Sequence, residues 1–145
     1  MQFSAKAEYA CLAMLELAVR FGDPRPVRLV DITETHGIPQ RFLVQILLQL
    51  KGAGLVSSTR GAAGGYHLAR SPEQITLANI LDVIDRAEPS TNGNRPTGRT
   101  DGSASQLAVA LRDVWAKIMQ SRQEILENTT LAALAQAGQG LQYVI

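Results

Sequence analysis

The chain has 145 residues, 46% hydrophobic and 19% charged, which is enough to bury one core, too little for two ordinary domains, and incompatible with disorder of the whole chain. Its net charge of +1 argues against a partner held by bulk charge, and its single cysteine, Cys11, excludes a disulfide framework and a Cys-rich metal site.

The apolar opening "YACLAMLELAV" resembles a signal peptide only at first sight. Glu8 and Glu16 interrupt it, no run reaches membrane-spanning length and no small-residue cleavage site follows, so a cytoplasmic protein is expected. Ala5 to Phe21 carries apolar residues around most of its circumference, as a central packed helix would. Gly22, Asp23, Pro24 and Pro26 stop it. A short second helix is expected from Leu29 to Thr35. Gly37 then permits a sharp turn, and Pro39 suits the first position of a third helix running to about Lys51. The spacing of Leu43, Ile46, Leu47 and Leu50 makes them its core face, which turns Gln40, Arg41, Val44 and Gln45 outward. Leu48 falls near the centre of that outward face, where it either touches thymine methyl groups or packs under the following hairpin.

Two helices joined by a short glycine-containing turn, the second showing Arg and Gln outward, are the parts of a helix-turn-helix. The next segment, "GLVSSTRGAAGGYHLAR", reads as strand, turn and strand, the wing of a winged helix. Gly61, Gly64 and Gly65 suit a tip that needs positive φ and a backbone that comes close to a ligand. Arg60 at that tip is either a solvated side chain or a contact to the minor groove or a phosphate, and its place after a helix-turn-helix favours the contact. No acidic residue occurs between Glu34 and Glu73, a stretch that holds Arg41, Lys51, Arg60 and Arg70 with both histidines, His36 and His67. That region is locally cationic, as a nucleic-acid surface would be. Gln45 is a candidate adenine reader, because its amide can pair with both N6 and N7.

The segment "AEPSTNGNRPTGRTDGSAS" is Pro-, Gly-, Ser- and Thr-rich and reads as a flexible linker. Beyond it, Leu107, Leu111, Val114, Ile118 and Ile125 follow near-heptad spacing along one helix, with Ser121 breaking the row and Trp115 beside it. Such a stripe is a core face or a helix-to-helix contact. Thr130 is expected to cap a short last helix starting at Leu131.

The blocks "SAKAEYACLAML", "LVDITETHGIPQRFLVQIL", "LKGAGLVSSTRGAAGGYHLAR" and "ITLANILDVID", in this order and spacing, resemble the bacterial IscR, NsrR and CymR type of transcriptional regulators. The resemblance implies a mainly α fold with a small β-wing: a winged helix-turn-helix domain over residues 1–86, a linker over 87–105, and a dimerisation helix with a short C-terminal helix over 106–145. It implies a homodimeric regulator, a repressor, on a pseudo-palindromic site in double-stranded DNA. Lys6, Gln40, Arg41, Phe42, Val44, Gln45, Arg60, Gly61, Gly64 and Gly65 would face the duplex, and Leu107, Leu111, Val114, Trp115, Ile118 and Ile125 the twin chain. A small-molecule or protein effector is compatible with that reading.

Three departures qualify the resemblance. The iron–sulfur regulator carries a glutamate at the position of Val44 and a proline followed by glycine at Ala62 and Ala63, so base preference does not transfer. Cluster-binding members place three cysteines in the loop that here contains no Cys, His or Tyr, so no cofactor and no metal are expected. Cys11 reads as a packing residue on the first helix, with a thiol switch as the competing reading. His36 reads as a helix-end residue and His67 as a strand residue. Neither histidine sits in a nucleophile–base arrangement, and "GAAGG" lacks the Lys-Ser or Lys-Thr of a phosphate loop, so no enzyme activity is expected. The remaining alternative is a winged helix that has lost DNA contacts and serves as a protein-interaction module.

Overall fold

A computed structural model describes residues 3–87 and 105–142. Ser4 caps α1 (Ala5–Val19) by accepting the Ala7 N–H at 3.1 Å, and the apolar circumference of that helix buries Ala7, Ala10, Ala13, Met14, Leu17 and Ala18. After the proline-containing turn, α2 (Leu29–His36) ends at Gly37, whose φ of 65° closes the helix in the left-handed region and returns its N–H to Thr33 O at 2.9 Å. Ile38 is buried in the turn. Helix α3 (Gln40–Gly52) follows, and its core face is the expected one, since Leu43, Ile46, Leu47 and Leu50 are all buried.

Pro39 departs from expectation by one position. It is the residue before α3, with ψ of 132°, and its carbonyl accepts the Phe42 and Leu43 N–H groups at 3.1 Å each. Proline serves there because its missing N–H is not required at a helix entry, while its carbonyl is.

The wing consists of β1 (Val56–Thr59) and β2 (Gly65–Leu68), antiparallel with Val56 opposite Leu68 and Thr59 opposite Gly65. Val27 joins the sheet by exchanging backbone hydrogen bonds with Tyr66 at 2.9 and 2.8 Å, which ties the chain entering α2 to the hairpin. A single 3-10 turn (Pro72–Gln74) leads to α4 (Leu77–Ala87), whose start is capped reciprocally by Thr76 and Asn79. Of the expected linker, residues 88–104 lie outside the described residues.

Ser105 caps α5 (Gln106–Asn128), and Thr130 caps α6 (Leu131–Gln142) by accepting the Ala133 N–H at 3.1 Å. α1 packs against α3, α4 and α6, and Leu131 of α6 belongs to the same core as Leu43 and Ile80. Helix α5 stands apart: of its described side chains only Leu126 is buried. Among the described residues no helix is long and apolar enough to cross a membrane.

Candidate nucleic-acid interface

Arg41, Gln45 and Leu48 lie along one line on the face of α3 opposite its core residues, and all three are exposed, with Gln40 exposed at the helix start and Val44 half-buried beside them. The arrangement follows from 3.6 residues per turn once Leu43, Ile46, Leu47 and Leu50 are committed to the core. No side chain caps the start of α3 and no acidic residue occupies its first turn. The same lack of a side-chain cap holds for α2, which starts after Arg28. Helix α3 therefore presents the positive end of its dipole uncompensated, a favourable field for phosphate, whereas Asp31 in the first turn of α2 offsets that helix's positive end.

Phe42 does not share the outward line. Its ring meets Tyr9 of α1 at a centroid distance of 6.4 Å, and the Arg41 guanidinium lies 4.9 Å over it. Phe42 and Tyr9 thus form a platform that orients Arg41. Lys6 sits half-buried in the first turn of α1, three residues before Tyr9 and so on the same side of that helix.

The wing is fixed to the recognition helix by Lys51, whose Nζ donates to Ser58 Oγ at 2.7 Å. At the exposed tip only Gly61 has a positive φ, 111°. The expectation that Gly64 and Gly65 also supply positive φ is corrected by contacts. A Cβ on Gly64 would run into the Thr59 carbonyl oxygen, and one on Gly65 into the Val27 carbonyl oxygen. These two glycines are small because backbone passes close, and Gly65 lets the Val27–Tyr66 pairing form.

Sequence reasoning overlooked a second cationic group. Arg20, Arg25 and Arg28 line a surface hollow of about 520 Å³ together with the wing-tip residues Ala62 and Ala63. Asp23 and Asp31 share that hollow. Asp23 is already engaged: the Arg25 backbone N–H at 2.9 Å, and then its guanidinium, hold the carboxyl below the usual carboxylate range.

The histidines behave as expected. His36 closes α2, where its Nε2 lies 3.1 Å from Glu16 Oε2 of α1, and His67 lies in β2. Cys11 differs in part: it is half-buried and lines an apolar cavity of about 610 Å³ with Phe3, Ala7, Leu77, Leu81 and Leu126. Burial, and then the neighbouring Glu8 carboxylate, push its thiol up to about 11.

A glycine-closed turn between two packed helices, an outward Arg and Gln line and a hairpin tied to the second helix define a winged helix-turn-helix transcriptional regulator. The chain belongs to the Rrf2 family, described as iron-dependent transcriptional regulators, whose model matches residues 3–137. It is 42% identical over 135 residues to Rv1287 of Mycobacterium tuberculosis, a candidate HTH-type transcriptional regulator, covering 93% of this chain and 81% of that one. Its structure is similar to that of IscR from T. potens, with a TM-score of 0.78, 35% identity and coverage of 98% and 91% of the two chains. It is likewise similar to CymR, the global cysteine regulator of B. subtilis, with a TM-score of 0.76, 32% identity and coverage of 94% and 98%.

An iron–sulfur cluster does not fit the residues present. The whole sequence offers one cysteine, on an apolar wall with a raised pKa, and no group of three His, Cys, Asp or Glu among the described residues could hold a metal ion.

Proposed function

We propose that the chain acts as a homodimeric repressor that binds a pseudo-palindromic operator without a cluster of the family type. The observation that carries this reading is the outward line of α3, exposed, free of acidic residues and flanked by a wing pinned to the same helix. Gln40, Arg41, Val44 and Gln45 enter the major groove, Phe42 holds Arg41, and Lys6 and Arg60 neutralise phosphates. Gly61, whose missing side chain would meet only open space at the tip, lets the wing backbone approach the duplex. Base contacts carry the sequence preference and phosphate contacts set the register. Residues 1–86 are the DNA-reading unit, 87–105 the linker, and 106–145 the arm that pairs the twin chains.

The apolar stripe of α5 supports the dimer. Leu107 is 83% exposed and Trp115 52%, with Leu111, Val114, Ile118 and Ile125 also open to solvent. A helix that buries so little of itself is marginal alone and gains its stability from a partner. Two such units on a twofold axis present their recognition helices to successive major grooves, hence the palindrome.

The test is selection of genomic fragments by the purified chain at low and moderate salt, followed by Gln45→Ala on the selected site. The expected result is symmetric sites and a loss of about 1–3 kcal/mol confined to one base position per half-site. Retention of no fragment at low salt would leave the protein-interaction module as the better reading. An unchanged preference in Gln45→Ala would displace α3 from the groove.

A further inference from the structure

Leu48 is the one residue on the outward line of α3 whose chemistry does not suit water or phosphate. It is 62% exposed, so the wing does not cover it. The wing is instead held further along the helix, where Lys51 reaches Ser58. Packing under the hairpin is therefore not its role. Its neighbours on the same line are Arg41 and Gln45 toward the helix start and Gly52 at the end, at spacings of four, three and four. A side chain added at Gly52 would meet open space, so nothing within the protomer fills the end of that line.

We propose that Leu48 reads thymine methyl groups in the major groove and is a specificity-determining residue of this regulator. The proposal rests on the reading of α3 as the recognition helix. Each base pair offers donors and acceptors in the major groove, but the C5 methyl of thymine is the apolar group there. Arg41 stands two turns before Leu48 on α3 and Lys51 one turn beyond it, and no acidic residue occurs between Glu34 and Glu73, so the partner that covers this face is polyanionic. An exposed leucine inside such a cationic frame finds its apolar complement on thymine. Leu48 lies seven positions and about two turns beyond Arg41, roughly 10 Å along α3, so the two side chains meet different base pairs. Leu48 consequently reads a pair separate from the one under Arg41, with half-buried Val44 one turn before it extending the apolar contact toward the helix start.

The test uses the full chain and the duplex that it selects from a random library. Each thymine is replaced in turn by deoxyuridine, which pairs identically and lacks only the methyl. The expected result is one position, or two adjacent ones, per half-site where the replacement weakens wild-type binding by about three- to tenfold. Leu48→Ala should lose a similar factor on the thymine duplex and become indifferent to deoxyuridine at that position, while sensitivity at the Gln45-dependent position persists. Leu48→Met, of similar volume, should restore much of the methyl dependence. Because Leu48 is exposed, both variants should melt with the wild type, and circular dichroism checks this. An identical deoxyuridine profile in wild type and Leu48→Ala overturns the proposal while leaving the DNA-reading function intact. Absence of binding to any duplex at low salt overturns both.

Discussion

Ile118→Asp tests whether α5 is a dimer arm. Ile118 lies next to the midpoint of a 23-residue helix and is 41% exposed in the protomer. Complete burial of an aliphatic side chain is worth about 2 kcal/mol, so covering the exposed part contributes about 1 kcal/mol per copy. Twofold symmetry repeats that loss, giving about 2 kcal/mol for the apolar contact alone. The aspartate must also be desolvated in each copy, at about 1–3 kcal/mol or more where no partner receives it. The dimer should weaken by about 4 kcal/mol or more, roughly a thousandfold in its dissociation constant. Sedimentation equilibrium across micromolar concentrations reads this directly. Trp115, the single tryptophan of the chain and 52% exposed in the protomer, gives a second readout, because its emission should shift to the red on dissociation. An Ile118→Asp chain that dimerises as tightly as wild type would refute the assignment of the stripe, and a wild-type monomer persisting on DNA would refute the dimer.

Arg60→Ala should weaken binding to most sequences and reduce the salt slope by about one charge's worth, checked by fluorescence anisotropy over a salt series. Gly65→Ala should lower stability by about 1–3 kcal/mol in denaturant melts, because its Cβ meets the Val27 backbone, whereas Gly52→Ala, with open space around it, should be neutral or stabilising. The Cys11 thiol, pushed from 9.0 up to about 11, should react with a small alkylating reagent about a hundredfold more slowly near neutral pH than a free thiol. The same shift favours the neutral thiol in the folded chain, so its stabilising contribution is complete below pH 9 and lost as pH rises to about 11. Protein isolated without oxygen should be colourless and bind its site without added iron or sulfide, and a charge-transfer band with stoichiometric iron would overturn the absence of a cluster.

What was legible in the sequence was whatever depends on local periodicity. The core face of α3 follows from four residues at helical spacing, and with it the outward line, Leu48 included. The end of α2 follows from Gly37, and the start of α6 from Thr130. What was not legible depends on segments far apart in the chain. Gly65 looks like a turn glycine until Val27 is found against it, because the approach of two backbones leaves no mark in the local pattern. Arg28 and the wing-tip Ala62 and Ala63 are far apart in the chain and meet on one hollow only in the fold. Cys11 reads as core from its neighbours on α1, yet the cavity it lines exists only once Leu77 and Leu81 of α4 and Leu126 of α5 come to it.

The same long-range contacts bear on how a regulator without cluster ligands holds its DNA-reading shape. Glu16 meets His36 at 3.1 Å, joining α1 to the end of α2. Val27 and Tyr66 pair the entry of α2 with the wing, and Lys51 and Ser58 pair the end of α3 with the other strand. Buried Ile38 seats the turn between α2 and α3. Each tie joins one element of the winged helix to another, and none needs a bound group. The DNA-reading geometry of the protomer is therefore built by folding itself, and a signal has little to assemble there. In the proposed dimer, the distance and angle between two such units would be the variable open to control. Helix α5 is exposed along most of its length, and the cavity around Cys11 is lined by residues of α1, α4 and α5. If the proposed dimer pairs through α5, a ligand or partner protein that shifted α5 would move the two recognition helices out of step with the 34–36 Å spacing of successive major grooves, and roughly one base-pair step of error per half-site would be enough to break simultaneous contact.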